Sequence, residues 1–195
     1  PPPIRGDRDE NLAGGMMATI RFDWDIFGNN KTKMTETRRR HELLFGLLLN
    51  SGLRISEALG LKASDVRLVE GTAKSVRVIG KGNKERLVPL PGAFGAVFGF
   101  WLKDRNRGEA IFAKTDGQPV SAQAARAYLR GMLKKAGIDK KISPHKLRHT
   151  YATNLLNAGA ELVDIKALLG HESIATTQIY TNVGQERMEQ VVGRL

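Results

Sequence analysis

The stretch from Val76 to Leu90 constrains this chain most. Val76 and Val78 alternate with Arg77 and Ile79, the turn-rich Gly80-Lys81-Gly82-Asn83-Lys84 follows, and Arg86-Leu87-Val88-Pro89-Leu90 is again extended. Two short period-two runs around a glycine-rich turn predict a β-hairpin. Elsewhere the apolar residues recur at helical spacing, so the hairpin belongs to one small antiparallel sheet in a mainly helical, α+β domain.

Local stop and start signals divide the helical part. Thr35 is placed to cap a helix that runs through Leu43, Leu44, Leu47 and Leu48 to about Asn50, where Gly52 ends it. A short helix follows around Ser56, Glu57 and Ala58, and another spans about Ala93 to Arg105. After Ala110-Ile111-Phe112 and an Asp116-Gly117 turn, Ser121 caps a helix to Lys135 that Gly137 stops. Ser143-Pro144 pairs an N-cap with proline at the first helical position, and that helix runs to about Asn157. Further helices are expected over 161–169, closed by Gly170, from Ser173 to near Tyr180, and over 185–192. In the first 33 residues, Leu12, Met16, Ile20 and Trp24 recur at four-residue spacing and suggest one weak helix. There is no internal repeat.

Charge narrows the partner. The net charge of +11 is unevenly placed: residues 31–150 carry 25 Lys and Arg against 10 Asp and Glu, while the flanking parts are slightly acidic. So one-sided an excess fits a polyanion such as nucleic acid better than a solvated mixed surface. An anionic membrane surface fits less well, because no basic amphipathic helix with aromatic anchors stands out. No apolar run approaches the roughly 18 residues a membrane span needs. No secretory signal pattern is visible, and the chain has no cysteine, which removes disulfides, thiolate ligands and thiol catalysis.

The reactive side chains gather late in the chain. His145 and Arg148 lie three apart in the first turns of one helix, where free N–H groups and the dipole favour an anion. Leu147, Tyr151, Leu155 and Ala158 form a separate apolar stripe, which predicts that His145 and Arg148 lie off the core-facing side. His145 and His149 are also spaced to hold a metal, with His171 as a third ligand. Arg148 between them opposes this, since a fixed cation beside a metal is unfavourable. No metal is therefore expected, and His149 reads as a structural hydrogen-bonding residue.

Several separate motifs, in order, resemble those of the tyrosine recombinases, especially the Xer-like and phage-integrase branches. They are Ser51-Gly52-Leu53-Arg54-Ile55-Ser56-Glu57, the hairpin from Ile79 to Arg86, Ser143-Pro144-His145-Lys146-Leu147-Arg148-His149-Thr150-Tyr151-Ala152-Thr153, Leu168-Leu169-Gly170-His171-Glu172-Ser173, and Thr176-Thr177-Gln178-Ile179-Tyr180. The resemblance covers about residues 34–183, the family's C-terminal catalytic domain. It implies that Arg54 and Arg148 contact the scissile phosphate, that Lys81 protonates the leaving group, and that His145 and His171 serve proton transfer and phosphate contact. Tyr180 is then the nucleophile, and Glu57 the acidic residue supporting the site. The implied activity is site-specific cleavage and rejoining of double-stranded DNA through a 3′-phosphotyrosine, with no cofactor, by a homo-tetramer on DNA. It also implies a cytoplasmic, nucleoid-associated enzyme.

Singly, each of these residues has an ordinary reading: a turn lysine is usually solvated, and a tyrosine at a helix end usually packs. Only the G-K-G pattern selects Lys81 over Lys84. A type IB topoisomerase-like enzyme would use the same residues to relax DNA, and a non-catalytic DNA-binding module would keep only the basic groove. Full-length members carry a further helical domain of roughly 100 residues before the catalytic one. With 33 residues ahead of the match, the chain is expected to be either a fragment or a minimal protein. The helix over 184–195 is expected to pack on its own domain or to dock on a neighbouring protomer.

Overall fold

Helix α1 (Glu36–Ser51) runs through the centre of the domain, and its sequence explains why. Leu43, Leu44, Phe45, Leu47 and Leu48 are all essentially inaccessible, so the helix is apolar around most of its circumference and must be surrounded. The computed structural model describes residues 35–80, 83–170 and 188–195. Thr35 accepts the Arg38 N–H on its hydroxyl at 3.3 Å, and Gly52 takes the left-handed conformation (φ 60°) that ends the helix. The sharp stop is needed for a second reason: a Cβ on Gly52 would run into the ring of Tyr151.

Short helix α2 (Ile55–Leu59) and a 3-10 turn (Ala63–Asp65) lead into a three-stranded antiparallel sheet of order β1-β2-β3, with β1 at Val66–Val69, β2 at Thr72–Ile79 and β3 at Glu85–Pro89. The expected hairpin is β2–β3, with Val76 opposite Val88 and Ile79 opposite Glu85. Strand β1 was not foreseen. Its residues Leu68 and Val69 are exposed, its register slips between Arg67 and Leu68, and its turn is Glu70-Gly71, both at positive φ. An edge strand without alternation and without an Asn-Gly or Asp-Gly turn carries little local signal.

Helix α3 (Gly92–Leu102) lies on the sheet at unusually close range. A Cβ at Gly95 would collide with the Ala73 carbonyl, and one at Gly99 with the Gly71 carbonyl, so bare glycine backbone faces β2 there. The helix ends earlier than the expected Arg105, where the Lys103 N–H turns to the Phe100 carbonyl at 3.3 Å.

Helix α4 (Ala122–Lys135) and helix α5 (Pro144–Asn157) start where their caps predict. The hydroxyls of Ser121 and Ser143 accept the N–H groups of Ala124 (3.1 Å) and Lys146 (3.3 Å). Leu147, Tyr151 and Leu155 of α5 are buried against α1. Helix α6 (Leu162–Leu169) closes at Gly170 (φ 66°). Residues 188–192 form α7, with Met188, Val191 and Val192 buried, and the Arg194 guanidinium reaches the Ala158 carbonyl at 3.3 Å. The helices anticipated around Leu12–Trp24 and Ser173–Tyr180 lie outside the described residues. Among the described residues no helix is long and apolar enough to cross a membrane.

Candidate active site

Arg54 emerges directly from the α1 stop. Leu53 is buried as a plug, and Arg54, in extended backbone, becomes the N-cap residue of α2 with a side chain 46% exposed. Arginine has no acceptor to offer an N-cap, so the local bonding runs one way. Glu57 reaches back and accepts both the Arg54 backbone N–H (2.8 Å) and its Nη1 (3.1 Å). The spacing Arg54–Glu57 thus carries half of a capping box and an ion pair at once.

A second arginine shares the same carboxylate. Arg86 of β3 donates Nη1 and Nη2 to the two oxygens of Glu57 at 3.2 and 2.9 Å, and its Nε to the Leu168 carbonyl at 3.0 Å. Burial alone would raise the pKa of Glu57. The hydrogen bonds and charge of Arg86, together with the Arg54 N–H and guanidinium, outweigh it and hold the carboxyl below its ordinary value.

Arg148 completes the cluster, in a position different from the one expected. It is buried, not off the core-facing side, and donates Nη1 to the Gly52 carbonyl at 2.6 Å and Nη2 to the Leu169 carbonyl at 2.5 Å. The physical reason lies in the helix ends. Gly52 follows the last turn of α1, and Leu168 and Leu169 end α6, so these carbonyls have lost their in-helix partners and sit at the negative ends of two helix dipoles. A guanidinium can be buried there with its donors satisfied. Burial, then the nearby charge of Arg54, lower the Arg148 pKa to about 10, with Glu57 opposing and Arg86 assisting, so it stays protonated at neutral pH. Two of its five N–H groups serve these carbonyls, and the others have no partner among the described residues.

His145 is exposed in the first turn of α5, beside Pro144. His149 is exposed as well; among the described residues its ring makes no hydrogen bond, while its backbone carbonyl accepts the Thr153 hydroxyl at 3.1 Å. The structural hydrogen-bonding role expected of its side chain has no partner among the described residues: on a helix whose buried face is set by Leu147, Tyr151 and Leu155, its ring lies on the exposed side. Lys81, His171 and Tyr180 lie outside the described residues. The structure thus brings together Arg54, Glu57 and Arg148 and adds Arg86, which the sequence reading did not single out. A signal for it existed. Strand alternation puts Arg86 on the same side as buried Val88, and an inward arginine demands a carboxylate.

Chemically, three guanidiniums near one carboxylate leave a net positive charge of two, with Arg86 and Arg148 largely out of water and Arg54 open to solvent. The basic excess continues along the chain on exposed Arg126, Arg130, Lys134, Lys135, Lys140 and Lys141. A cluster of this charge can stabilise an anion placed beside it.

The comparisons agree with this architecture. Residues 26–187 match the phage integrase family. The chain is 40% identical over 158 residues to the tyrosine recombinase XerD of Corynebacterium glutamicum, covering 78% of this chain and 51% of that protein. With the Yersinia pestis XerD it shares 42% identity over 162 residues, covering 78% and 52%. Among solved structures, the site-specific recombinase XerH bound to its difH substrate superposes with a TM-score of 0.65 at 26% identity, over 97% of this chain and 53% of that one. An integrase from mycobacterium phage Brujita has the same fold, with a TM-score of 0.68 at 23% identity, over 100% of this chain and 60% of that one. The chain belongs to the phage integrase family of tyrosine recombinases, and its fold is that of their catalytic domain. It spans about half the length of the curated relatives it matches.

Proposed function

We propose that this chain is the catalytic domain, over residues 34–183, of a site-specific DNA recombinase or integrase that cleaves and rejoins DNA through a 3′-phosphotyrosine. The observation that carries the reading is that Arg54 and Arg148 share one electrostatic cluster with Glu57, each keeping guanidinium N–H groups without a partner among the described residues. DNA as the substrate is supported by the basic middle of the chain and by the substrate complex of XerH.

In this reading Tyr180 Oη attacks the scissile phosphorus while the bond to the 5′ oxygen breaks. Tyrosine, with a free pKa near ~10, needs help to lose its proton at neutral pH, and His145 and the cationic cluster supply it. Arg54 and Arg148 fork onto the non-bridging oxygens as charge builds there, each such charged hydrogen bond contributing roughly 1.5 to 3 kcal/mol. His171 contacts the phosphate. Lys81 gives its proton to the departing 5′ oxygen, which leaves as a hydroxyl. One phosphodiester is exchanged for another, so the bond energy is kept and a 5′ hydroxyl can reverse the attack without ATP. Exchange between two duplexes needs one active site per strand, hence a homo-tetramer on DNA.

The test uses duplexes of randomised sequence carrying a nick close to the cleaved position, in chelator. Cleavage there releases a short 5′-hydroxyl fragment and traps the covalent adduct. Wild type is expected to form an adduct that survives denaturing electrophoresis, and Tyr180→Phe none. Equal adduct from the phenylalanine variant would overturn the nucleophile assignment. Captured sequences then serve to ask whether two duplexes exchange strands or one is merely relaxed.

A further inference from the structure

We infer that Arg86 is a positioning residue for Arg54: it holds the Glu57 carboxylate in a shared geometry that leaves Arg54 available to an anion. The inference rests on the reading of Arg54 as a phosphate ligand.

Donor accounting separates Arg86 from a direct ligand. Each of its three nitrogens already donates, two to Glu57 and one to the Leu168 carbonyl, and its side chain is 14% exposed against 46% for Arg54. Three of its five N–H groups are thus committed, and both terminal nitrogens face the Glu57 carboxylate, whose charge opposes a phosphate at the same edge. Packing reinforces the commitment, because a Cβ at Gly170 would sit 3.1 Å from Arg86 Nη1 and the α6 stop therefore closes directly over the guanidinium.

The carboxylate shows what the commitment achieves. Oε1 of Glu57 accepts from Arg54 Nη1 and Arg86 Nη1, and Oε2 accepts from the Arg54 backbone N–H and Arg86 Nη2. Each oxygen is therefore shared between the two arginines. Without Arg86 the carboxylate is free to turn and to fork both oxygens onto the Arg54 guanidinium, the geometry carboxylates prefer with arginine. Arg54 would then be neutralised by Glu57 when a phosphate needs it. Arg86 also joins β3 to the end of α6, whose next carbonyl, that of Leu169, holds Arg148.

The experiment measures single-turnover adduct formation at saturating DNA, on nicked duplexes captured by the wild-type chain. Wild type, Arg54→Ala, Arg86→Met and the double variant are compared, with DNA affinity and thermal melting recorded for each. Arg86→Met is expected to slow adduct formation about 10- to 100-fold while changing DNA affinity less than about three-fold. The double variant should be no slower than Arg54→Ala alone, since Arg86 acts through Arg54. A purely structural role predicts instead that the two defects multiply. Arg86→Lys, which keeps the charge but cannot span Glu57 and Leu168 together, carries the same comparison if the methionine variant melts too low, and it should fall between wild type and Arg86→Met. Multiplying defects, or a wild-type rate in Arg86→Met, would overturn the inference while leaving Arg54 as a ligand. A wild-type rate in Arg54→Ala would remove the underlying reading and this inference with it.

Discussion

The guanidinium of Arg148 donates to the carbonyl oxygen of Gly52 at 2.6 Å, joining α5 to the residue that ends α1. The same side chain holds the Leu169 carbonyl, so one residue serves both the fold and the proposed chemistry. Arg148→Lys keeps the charge but lacks the fork needed for both carbonyls. We expect it to lower stability by about 1 to 3 kcal/mol, the cost of leaving a buried carbonyl unpaired. Adduct formation should fall at least about 100-fold. Urea unfolding and the nicked-duplex assay check the two effects, and a lysine variant equal to wild type in both would refute the double role.

Glu57 makes stability depend on acid. Its folded pKa is depressed, so its contribution is fully present above the ordinary value of 4.5 and is lost as the pH falls through the lower folded value. Glu57→Gln leaves Arg86 without its buried counter-charge and should cost about 2 to 3 kcal/mol at neutral pH. Urea melts of both proteins across the acid range should show that gap narrowing as the pH drops below 4.5. A constant gap would mean that Glu57 is not ionised in the fold.

Glycine in α3 and glycine in α4 should respond in opposite directions to alanine. At Gly99 an added Cβ meets the Gly71 carbonyl, which is backbone and cannot step aside, so Gly99→Ala should destabilise by at least about 1 to 3 kcal/mol. At Gly131, exposed in mid-helix, an added Cβ meets nothing within 4 Å. Gly131→Ala should therefore stabilise by about 0.5 to 1 kcal/mol through helix propensity alone. Thermal melts of the two variants decide the matter, and a neutral Gly99→Ala would contradict the close approach of α3 to β2.

Tyr151 carries a buried hydroxyl that makes no hydrogen bond among the described residues, and burial raises its pKa. Its ring is wholly inaccessible and lies against Gly52. Removing an unpaired buried hydroxyl should do no harm, so Tyr151→Phe is expected to be neutral or to stabilise by up to about 1 kcal/mol. A loss of more than about 1 kcal/mol in urea unfolding would show that the hydroxyl has a partner after all.

Much of this domain was legible locally. Thr35, Ser121 and Ser143 cap helices where their side chains reach the N–H groups three residues on, and Gly52, Gly137 and Gly170 end or follow helices in the left-handed conformation. The β2–β3 hairpin was written in its alternation and its turn. Arg54 and Glu57 could be paired from spacing, because residues three apart on a helix are neighbours. In each case the interaction spans a few residues, and its geometry follows from backbone periodicity.

What tertiary structure decided is which distant groups those residues meet. Strand β1 exists because β2 offers it an edge, not because Leu68 and Val69 alternate with polar neighbours. The apolar stripe of its own helix predicts Arg148 off the core-facing side, yet it is buried, and its partners are carbonyls exposed by the endings of α1 and α6. Arg86 is drawn inward by Glu57, 29 residues before it, and by Leu168, 82 residues after it. By itself, then, the sequence determined the capped helices, their glycine stops, the hairpin and the inventory of reactive side chains, all set by contacts within a turn or two. Only the folded chain decided how the cations are divided between structure and anion, because a helix end offers its unpaired carbonyls to any donor that packing brings near.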